Sequence, residues 1–231
     1  MPSFSSSLQL LIQHVWLGVA AAVLFVAGLA TAVPVTRHNV RWLMALPLWV
    51  VREVLRIIGP SFPPLRVFLV IFAFNTVAIF LYMLSGVLVF VPAAVAFLTG
   101  VNIGVILLKA GEVEVPTGQR PLAAALEPHE DQGAAPWVSL CSLAVLVLEL
   151  PSFWISVGMG IGMGRRLSEP GQYTLENLGT LAYERVHAYW MIIIPLLFLS
   201  ALAETAAVRG HIRARPASAE PPNKDEAGPA G

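Results

Sequence analysis

Apolar residues recur along this chain in long unbroken runs rather than in the stripes of a soluble amphipathic helix. About 20 predominantly apolar residues cross the ~30 Å hydrocarbon core of a bilayer, and five stretches reach or approach that length. The first runs from Leu8 to Val33, interrupted near its start by Gln9, Gln13 and His14. The second, Val67 to Phe90, holds a lone Asn75, and Pro92 then marks a tight turn. The third, Ala93 to Lys109, is short and predicts a helix close to the bilayer normal. The fourth extends from Trp137 to Gly164. The fifth, Val186 to Val208, contains Pro195 and Glu204. The pattern predicts an all-α, polytopic helical membrane protein with five transmembrane helices in one domain over residues 1–208.

A sixth segment has a different period. From Pro47 onward, Arg52, Glu53 and Arg56 fall on one side of a 3.6-residue helix, and Val50, Val51, Val54, Leu55 and Ile58 on the other. Pro47 suits a first helical turn. The segment reads as an interfacial amphipathic helix over about residues 47–58, with Trp42 and Trp49 as headgroup-level anchors. The stretches between are polar. Gly111 to Pro136 carries Pro, Gly and acidic residues. Leu167 to Glu184 opens on a Ser168-Glu169-Pro170-Gly171 turn signal. The tail over 209–231 is Pro-rich, poor in apolar residues and expected to be disordered.

Composition agrees with the bilayer as solvent. The chain has 231 residues, of which 57% are hydrophobic and 12% charged, against about 25% charged in ordinary soluble domains. Formal net charge is zero, so no global electrostatic case for nucleic acid arises. The single cysteine, Cys141, excludes an internal disulfide framework and a cysteine-based zinc site. Ala30-Thr31-Ala32 resembles a signal-peptidase site, but no Lys or Arg precedes it and the apolar run is too long for a signal peptide. Five spans leave eleven Lys and Arg on one side and three, Arg165, Arg166 and Arg185, on the other. The positive-inside rule then puts the N-terminus outside and the C-terminus in the cytoplasm of a multi-pass cell-membrane protein.

Candidate chemistry is sparse. Ionisable groups at membrane depth are expensive and by default suggest function. Glu149 near the middle of the fourth span is one. An unpaired carboxylate there would be protonated or would need a donor. Glu204 is the other, four residues from the end of the fifth span and within snorkelling reach of the interface. Asn75 in the second span seeks an interhelical hydrogen bond and has the chemistry to meet Glu149. Pro151 cannot donate to the carbonyl of Val147, so a kink or break in the fourth helix is expected there, facing protein or a wet cavity. Gly158, Gly160, Gly162 and Gly164 form two GxxxG pairs, and Gly100 with Gly104 a third. Such pairs let helix backbones approach closely, and the expected seam joins spans three and four. Glu184-x-x-His187 is half of a di-iron pattern with no second half. No metal-ligand spacing, nucleophile–base pattern or cofactor motif is present, so neither a metal nor a cofactor is expected.

The spans resemble the stage II sporulation protein M family of integral membrane proteins over about residues 67–208. In that family one span carries an Asn with a Gly eleven residues on, matched by Asn75 and Gly86. The next carries Asn-Gly-x-x-x-Gly, matched by Thr99-Gly100-Val101-Asn102-Ile103-Gly104 with Thr in place of Asn. A third reads His-x-x-x-Glu-Leu-Pro-Ala with glycines behind, matched by Glu149-Leu150-Pro151-Ser152, with Val145 where the His would stand. The last ends Leu-x-x-Ala-x-x-Glu, close to Leu199 through Glu204. Losing the His removes any His–Glu proton pair, and Asn102, one turn from position 99, is a partial substitute for the lost Asn. The resemblance implies a membrane component that works with envelope-remodelling partners. Two functions are expected on these grounds. The first is a non-enzymatic scaffold that assembles other membrane or envelope proteins, with self-association a further option. The alternative is a transporter or permease subunit with a site around Glu149 and Pro151.

Overall fold

A computed structural model describes residues 3–59, 62–109 and 136–213. The protein is all-α, with no strand among the described residues. Helix α1 spans Phe4–Gln13, α2 Val15–Arg37, α3 Arg41–Ile58 and α4 Pro64–Leu84, the last followed by a 3₁₀ turn at Ser85–Val87. Helix α5 spans Val91–Lys109, α6 Pro136–Leu167, α7 Leu175–Ala188 and α8 Ile194–Arg213. A π-helical segment, Tyr189–Ile193, joins α7 to α8, so that Leu175–Gly210 forms one continuous helical stretch. Among the described residues, five helices are long and apolar enough to cross a membrane.

Several boundaries differ from the sequence expectation, each for a local reason. The first apolar run is two helices, because the chain bends at His14, whose Nδ1 pairs with the Leu10 carbonyl oxygen at 2.7 Å. The span proper begins at Val15. Ahead of it, Ser3 caps α1 in a reciprocal box with Ser6, and Phe4, Leu8 and Ile12 stay exposed along one edge. The amphipathic helix α3 starts at Arg41, not Pro47, and accommodates Pro47 internally. Its Val40, Leu43, Met44 and Leu48 region packs on Ala32 and Val35 of α2 and Val101 and Val105 of α5, while Trp42 and Trp49 remain exposed. The segment 167–184, expected as loop, turns at Gly171 (φ +74°) and then enters α7, capped by Thr174. Helix α8 continues through Arg213, past the expected end of the span. Residues 110–135 and 214–231, expected as a polar loop and a disordered tail, lie outside the described residues.

Glycine sets the helix spacing. A β-carbon on Gly100 would land on the Phe25 carbonyl oxygen of α2, and one on Gly28 on the Phe97 carbonyl of α5. One on Gly104 would meet the Ala32 side chain. The fourth-span glycines do not form the expected seam with span three. Gly158 and Gly162 face the start of α2, against Gly18, Leu17 and His14. Gly160 and Gly164 face the end of α4 and the turn after it, against Met83, Gly86 and Val89. Residues two apart on a helix are about 200° apart around its axis. Glycine at every second position therefore gives α6 two opposed smooth faces, one for each neighbour.

Candidate functional site

The intramembrane polar residues predicted separately are brought together by three helices. Asn75 lies near the middle of α4, and its Nδ2 donates to Glu149 Oε1 of α6 at 3.0 Å. Ser200 of α8 is buried and directs its Oγ at Glu149 Oε2 from 3.5 Å, the outer limit of a hydrogen bond. Glu204, one turn further along α8, lies near enough to Glu149 for the two carboxyl groups to interact electrostatically. A cavity of about 330 Å³ adjoins the cluster. Thr99 and Asn102 of α5, three residues apart and so on one helix face, line it with Asn75 and Glu149. Leu46, Pro47 and Val50 of α3 cover one side, and most of the remaining lining is apolar.

Local packing explains why these side chains point inward. Phe153, one turn beyond Glu149, packs edge-to-face against Phe25 and Tyr82. Behind Asn75, the Tyr189 hydroxyl donates to the Thr76 carbonyl oxygen at 2.6 Å, and the Tyr189 ring packs on Phe80. Tyr189 opens the π-helical segment. A π turn holds one residue more than an α turn, and such bulges re-aim the helix that follows.

Pro151 does not belong to this cluster. Helix α6 is continuous through it, so of the expected kink or break the break is absent. Two residues from Glu149, Pro151 faces the opposite side, where it lines an apolar groove with Gly18, Val19, Ala22 and Trp154. Glu149 and Pro151 therefore line different cavities. Ser152 donates its hydroxyl to the Leu148 carbonyl at 2.6 Å, beside the Val147 carbonyl that Pro151 leaves without its helical donor.

His187, the second member of the partial di-iron pattern, instead pairs its Nδ1 with Ser7 Oγ of α1 at 3.0 Å. No group of three metal-ligating side chains occurs among the described residues. Sequence reading missed Ser200 and Tyr189. Serine and tyrosine in an apolar run carry no periodic signal, although Ser200 sits one turn before Glu204 on the same face. No family model matches the chain, and no curated protein or solved structure matches it.

Proposed function

We propose that the protein is a non-enzymatic membrane assembly protein of the stage II sporulation protein M type, its helix bundle a platform for other membrane or envelope proteins. One observation carries this reading. Most of the polar residues and glycines on which the resemblance rests lie where helices of the bundle meet. Asn75, Thr99, Glu149 and Glu204 gather at one interior joint or on the cavity beside it, and Gly86, Gly100, Gly104 and the α6 glycines form the helix seams. Interhelical polar bonds of this kind are worth about 0.6–2 kcal/mol each in a membrane. In this reading Glu149 is a structural acceptor, and the cytoplasmic C-terminus and polar loops present the contact surfaces.

The cavity beside Glu149 favours a second reading, a permease subunit that passes a proton or small cation. Two carboxyl groups in one low-dielectric site repel each other when both are charged, and a proton or cation between them relieves that repulsion. Purified protein in vesicles carrying an entrapped pH-sensitive dye distinguishes the two. Under an imposed pH gradient, the assembly reading expects dissipation no faster than in empty vesicles. Faster dissipation that Glu149→Gln abolishes in a folded protein would overturn it in favour of the permease.

A further inference from the structure

At the opposite end of the bundle from α3, Arg185 is 1% exposed. Its Nε donates to the Met159 carbonyl oxygen at 3.0 Å and its Nη1 to the Leu181 carbonyl oxygen at 2.9 Å. These bonds use two of five guanidinium donors, and both acceptors are neutral. The only ion pair among the described residues is Arg56–Glu53, so no described carboxylate lies within ion-pair distance of Arg185. Glu184, its exposed neighbour in sequence, supplies an opposing charge only from beyond ion-pair distance, and a buried guanidinium without a directly paired carboxylate is among the least favourable groups a protein can hold.

The guanidinium lines a groove of about 480 Å³ between α1, the end of α6 and α7. Arg166 supplies a second guanidinium at the exposed rim, and Ser7, Gln13 and His14 add hydroxyl, amide and imidazole groups. Burial holds the His14 imidazole below its ordinary value; its bond to the Leu10 carbonyl oxygen and the Glu184 charge oppose that shift, and the Arg185 and Arg166 charges add to it. Depth is set by α1, which leads into the start of the first span and keeps Phe4, Leu8 and Ile12 exposed along one edge. A short helix with such an edge lies in the headgroup plane.

We propose that this groove binds a phosphate group, held by Arg185 at its wall and Arg166 at its rim. A planar guanidinium fork matches two phosphate oxygens, and phosphate is the anion present on phospholipid headgroups at this depth. A lipid headgroup and a soluble phosphate carry the same recognition chemistry. Glu184, exposed on the same groove, opposes the anion and tunes its affinity downward.

The test uses the full chain in a neutral, lipid-free detergent, with melting temperature followed as each probe is titrated. The probes are phosphatidylglycerol, a diacylglycerol of the same chains lacking phosphate, and inorganic phosphate against chloride at equal ionic strength. Stabilisation by phosphatidylglycerol beyond diacylglycerol, without an effect of inorganic phosphate, identifies the headgroup as source. Stabilisation by inorganic phosphate supports the site and identifies a soluble phosphate. No stabilisation by either overturns the proposal. Arg166 and Glu184 are exposed, so their variants keep the fold even where Arg185→Gln does not. Arg166→Gln should raise the half-saturating concentration by about threefold or more, and Glu184→Gln should lower it by a similar factor. Unchanged titrations in both variants would equally overturn the assignment.

Discussion

The tightest seam in the bundle offers a quantitative test, Gly100→Ala. In an open helix interior this exchange stabilises by about 1 kcal/mol through backbone propensity. At Gly100 the new methyl would fall on the Phe25 carbonyl oxygen, with Leu29 N and Phe25 C both only 2.9 Å away. All three obstacles are main-chain atoms of α2, so no rotamer change relieves the clash and the helices must separate. Overpacking of an interior costs about 1–3 kcal/mol, and immovable backbone puts this site at the upper end, leaving a net destabilisation of about 2 kcal/mol. Gly179 in α7 is the internal control, since nothing lies within 4 Å of a β-carbon built there. Gly179→Ala should gain about 1 kcal/mol. At about 2–4 °C per kcal/mol for a chain of this size, Gly100→Ala should melt about 4–8 °C below the parent in detergent, and Gly179→Ala about 2–4 °C above it. Gly28→Ala strikes the Phe97 carbonyl across the same pair of helices. Once one substitution has moved α2 from α5, the second meets less resistance, so the double variant should lose less than the two singles together. A folded Gly100→Ala that melts at or above the parent would refute the close-approach account of this seam. Full additivity would show that the two glycines act in separate places.

Four further outcomes are expected. Asn75→Ala removes the donor to Glu149 Oε1 and should destabilise by about 1 kcal/mol, read by melting; no change would mean the bond contributes nothing. Glu149→Gln keeps size and most bonding capacity, so under the assembly reading it should leave melting and cellular complementation nearly intact, whereas a folded but inactive variant would count against that reading. Gly160→Leu and Gly162→Leu should both destabilise through different neighbours, the first against the backbone of Tyr82 and Met83, the second against His14; parental melting of both variants would refute the two-faced packing of α6. A reporter active only outside the cell, fused after Arg215, should be silent, and strong activity from the intact fusion would reverse the orientation.

Hydropathy by itself determined the class and number of the membrane helices, because a run of about 20 apolar residues has no comparably favourable place outside lipid or a large core. The GxxxG spacing pointed to Gly100 and Gly104 and to the α6 glycines as close-packing positions, whereas Gly18 and Gly28, which stand outside any such pair, carried no signal. The partners of these glycines were not legible. Spacing alone shows that Gly158 and Gly160 face apart, as do Glu149 and Pro151, but not which helix lies on either side. That choice depends on how all five helices fit together, and it sent Gly158 to α2, Gly160 to the end of α4, and Pro151 away from the polar cavity. The meeting of Asn75 with Glu149 was chemically foreseeable as the meeting of an amide with a carboxyl group in a solvent offering neither a partner. Ser200 and Glu204 arrive from α8, which follows the π-helical segment that opens at Tyr189, and no sequence period announced that placement. Arg185 marks the limit most clearly. In the chain it is one basic residue in a polar stretch beside Glu184. Only the packing of α7 against α6 buries it, with the Met159 carbonyl oxygen of α6 joining that of Leu181 in its own helix as acceptor, because burial belongs to neighbours distant in sequence.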